Sequence, residues 1–140
     1  MEGSICLGAS ERVARLLPPE AAAAYAARRW EVCALEQRSA QALQGRVLRC
    51  RTLLTPEGVW GSRWQAEQVV SYGMGRRCSL TLSSVDGRGV LCVQRRLMTG
   101  RGPVEEQELP LCRAWAALEV QERLLLSGVW LLCRGTLPGE

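Results

Sequence analysis

Hydrophobic and polar positions alternate most clearly between Gly45 and Met98, and the alternation predicts two β-hairpins placed end to end. In the second, Cys78 to Ser84 and Gly89 to Met98 flank Val85-Asp86-Gly87-Arg88, where Asp-Gly favours a two-residue type I′ turn. With Val85 opposite Arg88, the pairs Leu82 with Leu91, Leu80 with Val93 and Cys78 with Arg95 fall on an apolar face. Ser83 with Val90, Thr81 with Cys92, Ser79 with Gln94 and Arg77 with Arg96 fall on the other. In the first hairpin, Thr55-Pro56-Glu57-Gly58 suits a type I turn closed by a left-handed glycine bulge. Counting back from Thr55 opposite Val59, Leu54 meets Trp60, Thr52 meets Ser62, Cys50 meets Trp64 and Leu48 meets Ala66. Arg51 with Arg63, Arg49 with Gln65 and Val47 with Glu67 then share the outer face. A register shifted by one would move Arg63 onto the face of Cys50 and Leu54 and is rejected. The predicted core is Leu48, Cys50, Leu54, Trp60, Trp64, Leu80, Leu82, Leu91 and Val93.

The flanks carry helix signals. Ser10 can cap a short helix from Glu11 to Leu17 that Pro18-Pro19 stops. Pro19, Glu20 and Gly45 are start and stop signals for a helix from 19 to 44, although Arg29 to Ser39 also reads as an entering strand with Trp30, Val32 and Ala34 on one side. Ser71 to Gly75 is a glycine-rich connection, Thr99 to Pro103 a flexible loop, and Glu105, Glu106 and Glu108 an acidic patch that reads as a solvated edge or as partners for arginines. Leu111 to Leu126 fits a helical stripe through Leu111, Trp115, Leu118 and Leu125, yet Leu118, Val120, Leu124 and Leu126 also keep the strand period. The preferred division is a helix at 111–118 and a strand pair about Ser127-Gly128. The expected fold is α+β, an N-terminal helix on an antiparallel β-meander that curls readily into a small barrel, as one domain over 1–140. Within it, 1–44 is a helical segment, 45–98 the two hairpins, and 99–140 a loop with the C-terminal helix and hairpin.

Composition narrows the function. A chain of 140 residues, 47% hydrophobic, can bury one substantial core, and a net charge of +4 permits nucleic acid without demanding it. Neither a secretory signal nor a transmembrane span is visible, so no membrane partner is expected and the expected compartment is cytoplasmic. The seven cysteines form no CxxC and there is no His, so no metal site is expected and Cys50 and Cys78 read as small core residues. Cys92, on the outer face, is the candidate for covalent attachment or redox chemistry. The single Asp lies in a turn and no phosphate loop or nucleophile elbow occurs, so a binding domain without turnover is the preferred reading over an enzyme.

The candidate site is the arginine-bearing face: Arg49, Arg51, Arg63, Arg77 and Arg96. Like charges directly opposed on a sheet disfavour pairing by about 0.2–1 kcal/mol. Two such pairs, Arg51 with Arg63 and Arg77 with Arg96, point to an anion between them, because guanidinium forks match carboxylate and phosphate. The expected partner is an anionic small molecule or an acidic protein. The competing account is compositional: the chain has no Lys, so every basic side chain is Arg, and Glu31, Glu36, Glu67 or the acids at 105–108 can pair them. Nucleic acid ranks lower, because the register puts Trp60 and Trp64 on the core side, away from the arginines.

Glu122-Arg123-Leu124 with Ser127, Leu131 and Arg134 resembles the closing hairpin of the S-type phycobiliprotein chromophore lyases, over about fifteen residues. The resemblance implies a calycin-like barrel, with arginines meeting the propionates of a bilin, the one cofactor it would bring, and a lyase or chaperone role. The stretch from Gly75-Arg76-Arg77 to Leu97 is similar to the last hairpin of chorismate lyases, with Gln94 where that family's catalytic carboxylate would be expected. That difference counts against activity.

Overall fold

A computed structural model of the chain describes residues 5–17, 30–83 and 89–139. The fold is mixed α and β and divides into two compact units, Met1–Val70 and Ser71–Glu140, with the boundary inside the stretch read as paired hairpins. The expected turn at Val85 to Arg88 and the part of the 19–44 helix before Trp30 lie outside the described residues.

In the first unit, strand β1 (Ile5–Gly8) runs parallel to β2 (Val32–Leu35), which runs parallel to β3 (Leu48–Pro56). An antiparallel meander is therefore not what forms here. Val32, Cys33, Ala34 and Leu35 are all buried, the continuous apolar run expected of a strand covered on both faces between parallel neighbours. Parallel neighbours require a crossover of about a dozen residues, and Glu36 to Val47 supplies it with helix α2 (Gln37–Ala42). The helix expected over 19–44 is thus replaced, from residue 30 onwards, by a strand and a short helix. Burial of all four side chains of Val32–Leu35 as a strand favours that outcome there. The short helix α1 (Glu11–Ala14) begins as expected, with Ser10 accepting from Val13 N–H at 3.4 Å.

The last strand of this unit, β4, begins at Trp64 and runs to Tyr72, lying beside β3. A turn does follow β3, one residue later than expected: Val59 N–H donates to Pro56 O at 3.2 Å, which makes Pro56 its first residue and not its second, and Gly58 takes φ 74° within it. The hairpin does not follow from it. Leu48 N–H donates to Arg63 O at 3.3 Å and Gln68 Nε2 donates to Thr52 Oγ1 at 3.0 Å. Partners therefore ascend together along both strands, whereas the hairpin would set Leu48 against Ala66 and Thr52 against Ser62. Alternation fixes the face a residue takes but not the direction of the neighbouring strand, so the face assignments of Leu48, Cys50 and Trp64 survive the error. These three pack with Cys33, Leu35, Ala40 and Leu53 in one apolar cluster. Trp60 is the exception: expected in the core, it is 49% exposed.

In the second unit, Tyr72 pairs in parallel with Leu80 of β5 (Leu80–Ser83), and Ser71 and Ser79 exchange hydrogen bonds between each one's N–H and the other's hydroxyl. β5 pairs antiparallel with β6 (Val90–Val93) in the predicted register, Leu80 with Val93, Thr81 with Cys92, Leu82 with Leu91 and Ser83 with Val90. Leu80, Leu82, Leu91 and Val93 are all buried, as read. The pairing stops short of Arg77 and Arg96. Leu97–Thr99 (β7) instead forms a separate antiparallel pair with Gly102–Val104 (β8), so the expected loop at 99–103 is a hairpin tip, braced by Thr99 Oγ1 donating to Gly102 O at 2.7 Å.

The tail corrects the preferred division. Residues 113–115 form one 3₁₀ turn, and Val120–Arg134 is a single helix, α3, packed on β7 and β5. A capping box between Glu119 and Glu122 starts it, and Gly135, left-handed at φ 73°, ends it. Ser127-Gly128 looked like a turn, but Ser127 Oγ donates to Arg123 O at 2.7 Å and the pair is buried inside the helix. With Leu124, Leu125, Leu126, Val129, Leu131 and Leu132 all buried, the helix is apolar around much of its circumference, which lets a strand period be read into it. The residues that resemble the chromophore lyases lie on this helix, where a hairpin was expected.

β9 (Gln107–Pro110) pairs with β6 and is the outer strand of the order β5-β6-β9. Leu111 N–H donates to Gly89 O at 3.3 Å, and with Val90 opposite Pro110 this turns the Pro110 nitrogen away from β6. The free edge therefore carries a proline that cannot donate, together with exposed Glu105, Glu106 and Glu108, the devices that keep an edge from pairing with another chain. The variant Glu108→Val/Pro110→Val is expected to increase concentration-dependent association over the wild type in light scattering, with the melting temperature within about 2 °C. Scattering identical to the wild type at every concentration would show that the edge is guarded by something else.

Candidate functional site

Neither opposed arginine pair forms. In the first unit Arg49 and Arg51 share the exposed face of β3, but Arg51 lies between two acids, its Nη1 donating to Glu31 Oε1 at 3.1 Å and its Nε 4.0 Å from Glu67 Oε2. The parallel neighbours bring glutamates where the hairpin register would have brought Arg63. Arg63 donates to Gly45 O at 3.3 Å instead. In the second unit Arg96 Nε pairs with Glu105 Oε1 at 2.9 Å, and Arg77 sits in a turn ahead of β5. The acids weighed as the compositional account of the arginines therefore hold Arg51 and Arg96. The units carry these residues separately, Arg49, Arg51 and Arg63 in one and Arg77 and Arg96 in the other.

Among the described residues, arginines stand in excess on the two surfaces that follow. The first is a turn in the second unit, closed by Cys78 N–H donating to Gly75 O at 3.2 Å, which puts Arg76 and Arg77 at its exposed centre. Gln94 fastens it to the end of β6: its side-chain amide donates to Cys78 O at 2.8 Å and to Gly75 O at 3.4 Å, while its N–H donates to Ser79 O at 2.8 Å. Arg95 and Arg96 follow directly, so two arginine doublets are drawn to one amide. Among the described residues the side chains of Arg76, Arg77 and Arg95 have no acidic partner. Arg76 and Arg95 were not among the sequence candidates. The signal that could have found them is the repetition of the doublet on both sides of one predicted hairpin.

The second surface is the loop Val59–Arg63 of the first unit. Three hydrogen bonds clamp it to the turn after α2: Gln44 Nε2 to Trp60 O at 3.3 Å, Trp64 Nε1 to Leu43 O at 3.1 Å, and Arg63 Nη1 to Gly45 O. Trp64 folds back over Gly61, where any Cβ would overlap its indole. Trp60 meets Trp64 edge to face, with ring centroids 6.0 Å apart and planes at 69°, and is itself half exposed.

Cys92 lies on the outer face opposite Glu108, not beside arginines. Burial pushes its thiol pKa up, and the Glu108 carboxylate pushes it further, against a smaller lowering by a hydrogen bond to the Ser83 backbone. The thiolate needed for attachment chemistry is thus disfavoured. Cys133, more deeply placed, is pushed up to about 11 chiefly by burial. Cys33, Cys50, Cys78, Cys92, Cys112 and Cys133 are all outside disulfides. Among the described residues no three His, Cys, Asp or Glu side chains are grouped to hold a metal, and no helix is long and apolar enough to cross a membrane.

Comparison with family models, with curated proteins and with solved structures returns no match for this chain.

Two outcomes are expected. Arg51→Ser lowers the melting temperature by about 2–4 °C at low salt, less at high salt, because it leaves Glu31 and Glu67 without their shared cation, whereas Arg49→Ser is neutral. Equal melts for the two variants would remove the ion-pair row from the account. Glu108→Gln should lower the Cys92 pKa and speed its alkylation near pH 8, followed by peptide mass mapping; an unchanged pH–rate profile would mean that Glu108 has no hold on the thiol.

Proposed function

We propose that the chain is a binding domain without turnover whose partner is anionic. The observation that carries this reading is the turn fastened by Gln94, which gathers Arg76, Arg77, Arg95 and Arg96 against one acid, Glu105. The repulsion among exposed guanidiniums there is unfavourable in the absence of an anion and is relieved by a carboxylate or phosphate held in their forks. Gln94 supports the reading in a second way. Both hydrogens of its amide are directed at backbone carbonyls, so it is a brace for the cationic turn and not an acid–base group.

A bilin-holding lyase remains the alternative implied by the family likeness. A groove of about 470 Å³ in the second unit, lined in part by Leu109, Leu111, Leu137 and Pro138, offers apolar volume, but no arginine lines it. The anion reading therefore rests on the turn and not on the groove.

The triple variant Arg76→Ser/Arg77→Ser/Arg95→Ser tests it against a panel of citrate, biliverdin and polyglutamate. At least one of these should raise the wild-type melting temperature, and the triple variant should lose that shift while its own ligand-free melt stays level or rises slightly. A wild type that none of the three stabilises, or a triple variant that binds as well, would retire the proposal. Citrate or biliverdin alone would indicate a small-molecule ligand, polyglutamate alone an acidic protein.

A further inference from the structure

An exposed tryptophan is seldom left half in water when a core is within reach, and this one is held out. Trp60 sits in a five-residue loop whose backbone is tied by Gln44 at Trp60 O, whose floor is the buried Trp64 indole, and whose close fit depends on glycine at position 61. Trp64 supports one side of the Trp60 ring edge to face, leaving a rigid aromatic surface that loses little freedom when something stacks on it. Arginines lie close to it along the clamped segments. Arg63 is fixed to Gly45 O, Arg46 follows Gly45 directly, and Arg49 is exposed two residues beyond Val47. Among the described residues the side chains of Arg46 and Arg49 have no acidic partner, and the acids of the adjoining strands, Glu31 and Glu67, are engaged by Arg51.

We infer that this loop is a stacking site for single-stranded nucleic acid, with a base on the half-exposed Trp60 and neighbouring phosphates on Arg63 and Arg46. The class follows from the combination. Every unpaired base offers a π-face to an aromatic ring without regard to sequence, and arginines beside the ring track the backbone charge. Duplex is disfavoured because its bases are already stacked. The low rank of nucleic acid rests on Trp60 and Trp64 both being expected on the core side; Trp64 is buried as read, but the exposure of Trp60 removes that half of the ground. The inference is separate from the anion reading, which rests on arginines of the other unit.

Fluorescence anisotropy of the full chain with a labelled oligothymidylate and an oligouridylate, each roughly 20 nucleotides long, tests it. Both should bind with quenching of tryptophan emission, and affinity should fall steeply with salt. Trp60→Ala should weaken binding roughly tenfold with an unchanged melt, Trp60→Phe should retain most of it, and Arg46→Ser should flatten the salt slope by about one. Absence of binding, equal binding by Trp60→Ala, or competition by polyglutamate as effective as that by unlabelled oligonucleotide would overturn the assignment. If Arg76→Ser/Arg77→Ser/Arg95→Ser abolishes oligonucleotide binding while Trp60→Ala leaves it intact, the inference fails and the anion reading stands.

Discussion

The burial of β2 on both faces is the constraint on which the first unit depends. Cys33, Ala34 and Leu35 have no exposed surface, so apolar cover is needed above and below the strand as well as hydrogen-bonding neighbours along both edges. β1 and β3 fill the edges in parallel, and a parallel neighbour reached from the end of β2 demands that the chain first travel back, which it does through α2. The close approach this creates is visible at Gly8, where a Cβ would lie 2.7 Å from Ser39 Cβ. Glycine there lets the end of β1 and α2 share space.

Strand direction then decides the electrostatics. Had β3 and β4 formed a hairpin, Arg51 would have faced Arg63; with partners ascending together, Arg51 faces Glu67, and the parallel step from β2 adds Glu31 on its other side. A row of acid, base and acid replaces a repulsive pair. The same arginine thus changes from a candidate ligand contact into a fixture of the sheet, through topology alone. These exposed ion pairs stabilise weakly one by one, and their larger effect is to disfavour the register that would bring like charges together.

What was legible in the sequence, and what was not, divides along the same line. The register of β5 with β6 was readable because a single alternating pattern with polar residues on one face admits few solutions, and every predicted pair within the strands is present. The partner of β3 was not readable. Its first half alternates, but Thr52 to Pro56 is buried throughout, and alternation carries no information about which way a neighbour runs. α3 was missed for a related reason: a helix apolar around much of its circumference supports several periods at once, and the decisive signals were the short-range ones at its ends, Glu119 with Glu122 and Gly135. Of the site, the arginine type was legible and the grouping was not. Grouping came from turns and from an amide side chain, neither of which leaves a periodic trace. Trp60 was misplaced because its face was inferred from a hairpin that does not form.

Both cationic surfaces are ordered by the same device, a glutamine donating to backbone carbonyls. Gln94 braces Gly75 and Cys78, and Gln44 braces Trp60. A neutral amide suits this task, since a carboxylate could not donate and would neutralise the arginines nearby, while a further cation would add to their repulsion. In the turn of the second unit, three of the four guanidiniums are left outside the internal ion pairs that hold Arg51 and Arg96. In the Trp60 loop one guanidinium, that of Arg63, joins the brace through Gly45 O and so keeps its charge in place beside the ring. A surface whose loops are fastened by neutral groups can present several like charges at a stable fold, because its order does not depend on neutralising them.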